Sequence, residues 1–382
     1  MSIYLDNGAT SYPKPKSVED TIIRSMTQVI GNVGRTSSTE VHTVEREVYN
    51  TRAIIARFFG FDPIDHVVFT KNITESINLF LNGYLAFGDR VIYTGIEHNA
   101  VARPIEHLKQ SRGIEPILLG CNPFGQLDLS ELEAHLRKGV KLVVASHASN
   151  VSGDIQQIAE IGKLCKTYDS IFMVDAAQSA GVIPINMKAL QIDVLCLTGH
   201  KSLLGPQGIG AILIEPKVSK DVKPLIFGGT GSLSESLAQP ELMPDKFESG
   251  TQNISGILGL GAAITWLNQT DLEEHLNYER RLIEKLQAFL DSQASCVRIG
   301  NPDAYKRLPV LSFYTKAKDI SWIAYELGKN YGIHTRVGLH CAPLAHQTYG
   351  TYPYGTIRIS PSKFTTEEEI DLTIEALSTI LR

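Results

Sequence analysis

Short apolar runs alternate with amphipathic stretches through most of the chain. The runs at 66–70, 90–94, 116–119, 141–146, 171–174 and 194–197 read as strands, and the stretches at 73–85, 100–110, 129–137 and 155–166 carry helical periodicity. Ahead of them lie a short strand at 3–6 and helices at 18–30 and 41–59, with a Gly31-Asn32-Val33-Gly34 break and a polar loop at 35–40 between the helices. A further apolar run follows at 209–214. The last third predicts a long, mostly helical stretch at 254–290, strands at 308–314 and 356–359, and helices at 320–327 and 367–381. Apolar runs joined by helices imply crossover units and a mainly parallel sheet covered on both faces. Ligands bind such sheets at the carboxyl ends of strands, so the residues just past each run are the candidates for chemistry.

Composition narrows the classes. A chain of 382 residues holds one large domain and one smaller one, and 43% hydrophobic with 20% charged residues is ordinary for a soluble enzyme. A net charge of -5 gives no field for nucleic acid. No apolar run reaches membrane-spanning length, and no basic segment with an apolar core opens the chain, so neither a membrane span nor a signal peptide is expected. Cys121, Cys165, Cys196, Cys296 and Cys341 are scattered without C-x-x-C spacing. That pattern argues against a disulfide framework and a metal site, and fits a reducing cytoplasm.

Past 194–197 comes Thr198-Gly199-His200-Lys201 and then a Gly/Pro-rich loop. A lysine at the end of a buried strand can be desolvated, which lowers its pKa and makes its amine nucleophilic. Thr198 and His200 can donate to a phosphate. This combination suits a Schiff-base lysine of pyridoxal phosphate (PLP), although many strand-end lysines are simply solvated. Past 171–174 comes Asp175-Ala176-Ala177-Gln178. A buried acid needs a partner. A pyridinium nitrogen would supply one and make the ring an electron sink; otherwise Asp175 accepts backbone hydrogen bonds. Gln178 could reach a ring oxygen. Past 66–70, Thr74 sits in the first turn of a helix suited to phosphate, or else it or Asn72 merely caps that helix. His98, past 90–94, could stack on a planar ring and move protons, or be a surface group. Asn150, past 141–146, could bind a carboxylate or be an ordinary turn residue.

Asp175 and Lys201 lie 26 residues apart on successive strand ends. This Asp…Thr-x-His-Lys order is flanked by Leu5-Asp6-Asn7-Gly8-Ala9-Thr10 and Arg358-Ile359-Ser360. Together they resemble the class V aminotransferase-fold PLP enzymes, and within them the cysteine desulfurase group, essentially end to end. The resemblance implies an α/β protein of PLP-dependent transferase fold type I. Residues 13–253 would form the large PLP-binding domain with its mainly parallel sheet, and 1–12 with 254–382 a smaller α+β domain. It implies that Lys201 carries PLP, Asp175 binds the pyridinium nitrogen, Gln178 the ring hydroxyl, and His98 stacks on the ring. Thr74, Thr198 and His200 would hold the phosphate, and Asn150 and Arg358 the substrate carboxylate. The segment Phe247-Glu248-Ser249-Gly250-Thr251-Gln252-Asn253 resembles the family's loop across a dimer interface. Thr251 would then touch the partner's phosphate in a homodimer, with the Gly-rich 227–231 loop close by.

Cys341 lies in Arg336-Val337-Gly338-Leu339-His340-Cys341-Ala342-Pro343. Flanking Arg336, His340 and His346 could favour its thiolate. The compact Arg-x-Gly-x-His-Cys-Ala-Pro loop resembles the second group of cysteine desulfurases, whose nucleophile sits in a short ordered segment. Leu339 stands where that group often has another histidine, and Ser360-Pro361-Ser362-Lys363 replaces a segment that often carries Tyr and Asn. The implied reaction moves the sulfur of L-cysteine to Cys341 as a persulfide, releases L-alanine, and passes the sulfur on to an acceptor protein. The alternatives are a selenocysteine lyase acting on L-selenocysteine, and an aminotransferase, which would need a keto acid and no essential cysteine. A non-enzymatic scaffold would have no use for Lys201, Asp175 and Cys341 together.

Overall fold

The computed structural model describes residues 2–28 and 39–382, the side chains of 39–42 excepted. The expected Gly31–Gly34 break and most of the 35–40 loop lie outside those residues. In chain order the elements are β1 (Ile3–Tyr4), α1 (Lys16–Thr27), α2 (Thr39–Phe58), β2 (Val67–Thr70), α3 (Ile73–Tyr84), β3 (Arg90–Thr94), α4 (Asn99–Arg112), β4 (Glu115–Leu119), α5 (Leu129–Leu136), β5 (Leu142–Ser146), α6 (Ile158–Thr167), β6 (Ile171–Asp175), β7 (Val194–Thr198) and β8 (Gly210–Ile214). There follow α7 (Pro216–Ser219), α8 (Ile254–Asn268), α9 (Leu272–Asp291), β9 (Cys296–Arg298), β10 (Leu311–Thr315), α10 (Ile320–Tyr331), β11 (Ile333–His334), β12 (Arg336–Gly338), α11 (Pro343–Thr348), β13 (Thr356–Ile359) and α12 (Glu367–Leu381).

Among the described residues the large sheet runs β2-β8-β7-β6-β5-β3-β4, and only β8 lies antiparallel to its neighbours. The central strands are buried along their whole length, Ile171 at the start of β6 excepted, because alternate residues feed two cores. Val143, Phe172, Val174, Leu195 and Leu213 pack toward one helical layer; Leu142, Met173, Val194, Cys196 and Ile212 pack toward the other. This is why these strands read as unbroken apolar runs rather than as alternation.

The smaller sheet is antiparallel, in the order β12-β13-β10-β9, and packs on α9, α10 and α12. The first strand joins this body: β1 pairs in parallel with β11, and Asp6 bridges to Ser360. The stretch at 254–290 divides at Asp271, whose carboxylate caps α9 by accepting from the Glu273 and Glu274 N–H groups. The expected start of the small domain falls on α8, yet α8 packs against α1 and α2, with Ile257, Leu260 and Ile264 in the core of the large sheet. Helix α6 begins later than its periodicity suggests because the backbone at Asp154 and Ile155 is taken by bridges to Arg307 and Ala148. The short strands β9, β11 and β12 and the helix α11 escape sequence patterning.

Edge strand β2 is closed by side chains rather than by another strand. Glu248 Oε1 accepts the outward N–H of Phe69 at 2.6 Å, and Arg52 donates to the outward carbonyl of Val67. Arg52 and Glu248 are both buried and form a bidentate ion pair. The pair therefore ties the segment carrying Thr251 to the sheet. Arg52→Met would leave Glu248 buried and unpaired, at a cost of about 3–5 kcal/mol. The expected result is a lower urea midpoint, with the Arg52→Met/Glu248→Gln double variant losing less than the sum of the two singles.

Candidate active site

The carboxyl ends of β2, β3, β5, β6 and β7 meet along one edge of the large sheet. At the end of β7 the backbone turns at Gly199, whose N–H bonds to Ile209 and whose carbonyl accepts from Gly205. Lys201 follows. Desolvation of its amine, aided by Arg358 and opposed by Asp175, Asp6 and Cys341, lowers its pKa to about 8. These mutual effects place Lys201, Asp175, Arg358, Asp6 and Cys341 in one site.

The turn bearing Lys201 is clamped from the N-terminus. The His200 carbonyl accepts from the Ser11 N–H at 2.9 Å, the Thr10 hydroxyl at 3.1 Å and the Lys14 amine at 2.9 Å. Ser11 Oγ donates to the Lys201 carbonyl at 2.8 Å. Ser11 and Lys14 have no part in the sequence reading, and Thr10 enters it only within the Leu5–Thr10 motif.

Asp175 ends β6, buried, with one carboxylate oxygen accepting the Ala177 N–H at 2.8 Å. Burial raises its pKa, against that hydrogen bond and the nearby Lys201. Gln178 donates to the Gly8 carbonyl at 3.0 Å, so its amide is oriented by the N-terminal turn. Thr198 Oγ1 and His200 Nδ1 are buried without a hydrogen-bond partner among the described residues. Thr74 is exposed in the first turn of α3, where Asn72 is the cap. His98 caps α4, its Nδ1 accepting the Ala100 N–H at 3.0 Å. Burial lowers its pKa to about 4, assisted by Lys201, Arg103 and Arg358, so the ring is neutral with its proton on Nε2. Glu97, also missed, is a buried acid whose pKa burial raises to about 7, held by Thr94 and by the N–H and hydroxyl of Ser146. Its only sequence signal is an acid directly before His98 in the turn past β3.

Arg358 on β13 is buried. It donates to the Asn150 carbonyl at 2.9 Å and to Asp6 at 2.8 Å. Asp6 also faces Arg336, 3.5 Å away. A Cβ on Gly8 would sit 3.0 Å from the Arg358 guanidinium carbon, so a larger residue there would press on the arginine. The Asn150 amide donates to the His340 carbonyl at 2.8 Å and so supports the cysteine loop.

Cys341 is exposed and lines an open pocket with Thr74, Asn78, His98 and Arg103. Its carbonyl accepts the Asn99 N–H at 2.8 Å. The expectation that His340 and His346 are cations flanking this thiol needs correction. Burial pushes His340 down to about 2 and His346 to about 4, so both are neutral, and Arg336 pairs with Asp6. Thr251 is not gathered with these residues. It is exposed in a pocket lined by Arg52, Gly229, Thr230 and Glu248.

The family model for Aminotransferase class-V matches residues 3–373. The chain belongs to the class-V aminotransferase family. A protein named probable cysteine desulfurase from Methanothermobacter thermautotrophicus is 33% identical to this family member, covering 99% of this chain and 94% of that protein. A cysteine desulfurase of Escherichia coli is 31% identical over 99% of this chain and 93% of its own length. The apo structure of a cysteine desulfurase from Thermococcus onnurineus superposes with a TM-score of 0.93 at 32% identity, covering 100% of this chain and 94% of that one. Class-V aminotransferases are PLP-dependent enzymes, and the residues here fit that cofactor. The orphaned Thr198 hydroxyl and His200 nitrogen suit a phosphate, and buried Asp175, which forms no salt bridge among the described residues, suits a pyridinium nitrogen. No helix among the described residues is long and apolar enough to cross a membrane.

Burial destabilises the Lys201 ammonium, so its amine loses its proton near pH 8 instead of about 10.4. Trace acylation of the PLP-free protein should show Lys201 reactivity rising through pH 8. Asp175→Asn, which removes an acid favouring the ammonium, should move that inflection to lower pH.

Proposed function

We propose that this class-V aminotransferase is a cysteine desulfurase that takes sulfur from L-cysteine onto Cys341 and releases L-alanine. The observation that carries the reading is an exposed cysteine in the same pocket as His98, electrostatically coupled to a desolvated lysine beside a buried acid. An aminotransferase has no need of that cysteine.

In this reading Asp175 holds the ring nitrogen of PLP, Gln178 the ring hydroxyl, and Thr74, Thr198 and His200 the phosphate. Bound PLP supplies an electron sink for the substrate α-carbon. Arg358, aided by Asn150, takes the substrate carboxylate. The Lys201 amine removes the α-proton and later returns a proton to carbon. The Cys341 thiolate attacks the substrate sulfur, a sulfur–sulfur bond forms, and the carbon–sulfur bond breaks. His98 moves a proton at the substrate sulfur through Nε2. The balance is L-cysteine plus the Cys341 thiol giving L-alanine plus the Cys341 persulfide.

The reading extends to a homodimer in which Thr251 serves the partner's phosphate site. The large exposed apolar side chains of Phe227, Leu233, Leu237 and Leu242 near that loop support it. The persulfide sulfur passes to an acceptor protein, and the free cysteines fit a reducing cytoplasm.

Single-turnover mass spectrometry with L-cysteine should show one added sulfur on Cys341 and an equivalent of alanine. Cys341→Ala should lose the persulfide and keep PLP absorbance; Lys201→Ala should lose the lysine-linked absorbance. Bound PLP with neither persulfide nor alanine would defeat the reading and favour selenocysteine as substrate.

A further inference from the structure

His340 and Cys341 are consecutive non-glycine residues with φ of +50° and +55°. For such residues the left-handed conformation costs about 1–2 kcal/mol each, and it persists only where the surroundings enforce it. Two bonds to the backbone help: Asn99 N–H to the Cys341 carbonyl and Asn150 to the His340 carbonyl. A third bond closes the turn itself, from the Ala342 N–H to the Leu339 carbonyl at 2.8 Å, and the His340 ring makes further contacts.

That ring starts a buried file of polar groups. His340 Nδ1 lies 3.2 Å from His346 Nε2, and His346 Nδ1 lies 2.7 Å from Thr351 Oγ1. At the other end, His340 Nε2 faces the Arg336 carbonyl at 3.5 Å. The rings stack with centroids 5.4 Å apart, and His346 is fully buried.

The direction of the protons follows from the ends. A carbonyl can only accept, so His340 Nε2 carries the hydrogen. Neutral His340 then accepts at Nδ1, His346 donates from Nε2, and His346 Nδ1 accepts from the Thr351 hydroxyl. The reverse order would set a bare His340 nitrogen against the Arg336 carbonyl. Burial disfavours the charged form of both rings and keeps them neutral.

We infer that Thr351 and His346 are positioning residues whose one-way hydrogen-bond chain holds Cys341 in its reactive backbone conformation. The inference rests on the reading of Cys341 as the nucleophile. Neither residue touches the reacting atoms. The chain connects a loop beyond α11 to the residue before the nucleophile.

Thr351→Val keeps the shape of the buried side chain and removes the hydroxyl that heads the chain; Thr351→Ser retains it. In PLP-loaded enzyme, Thr351→Val should slow single-turnover persulfide formation on Cys341 about tenfold, while Thr351→Ser stays within about twofold of the unmutated enzyme. PLP absorbance and the KM for L-cysteine should be unchanged in both. His346→Gln, which presents an amide N–H toward His340, should stay closer to the unmutated rate than His346→Leu. Backbone hydrogen exchange across 338–342 should quicken in Thr351→Val and not in Thr351→Ser. An unchanged persulfide rate in Thr351→Val, or an equal loss in Thr351→Ser, overturns the inference. An unmutated enzyme that leaves no sulfur on Cys341 overturns the desulfurase reading instead, and the exchange contrast then still decides whether the chain holds the loop.

Discussion

Withdrawing charge from water at one edge of the sheet is the constraint around which the molecule is built. Lys201, Asp175, Glu97 and Arg358 converge there, and an uncompensated buried ion costs several kcal/mol. Each is answered by a group from elsewhere in the chain. Asp6 answers Arg358, Ser146 and Thr94 answer Glu97, and the Ala177 N–H answers Asp175. Lys201 is left with its amine weakly basic, which is the state a nucleophile requires.

Two frames meet at Asn150. Its carbonyl holds Arg358, the residue suited to a carboxylate, and its amide holds the backbone of the cysteine loop. The Arg358 guanidinium and the backbone of the cysteine loop are thus positioned through a single residue. The N-terminal turn does similar work for the lysine side, clamping His200 while its Gly8 carbonyl orients Gln178.

Much of this was legible in the sequence because parallel strands announce themselves as apolar runs and their ends mark the ligand edge. The runs ending at Thr94, Ser146, Val174 and Leu197 led directly to His98, Asn150, Asp175 and Lys201. What escaped depends on long-range pairing. Strands β9, β11 and β12 are too short to carry a period, and β1 and β11 hold each other only once folded. Asp6 and Lys14 look like surface residues until the small domain and the N-terminal turn close over them. His340 and His346 were noticed as cations near a cysteine; burial makes them neutral and gives them to each other.

The partners Asp6 and Arg358 stand at opposite ends of the chain, and β1 finds its neighbour only at β11. A ribosome-bound nascent chain therefore carries the lysine turn long before it carries the arginine that completes the pocket. Until β13 emerges, Asp6 lacks Arg358 and its bridge to Ser360, and β12, which leads into the cysteine loop, lacks the strand it pairs with. The gap between these residues is nearly the length of the protein, so closing it is among the most entropically demanding steps of assembly. The Arg358 side chain and the Cys341 loop, both held by Asn150, thus reach their places late in assembly, after the sheet that carries Lys201.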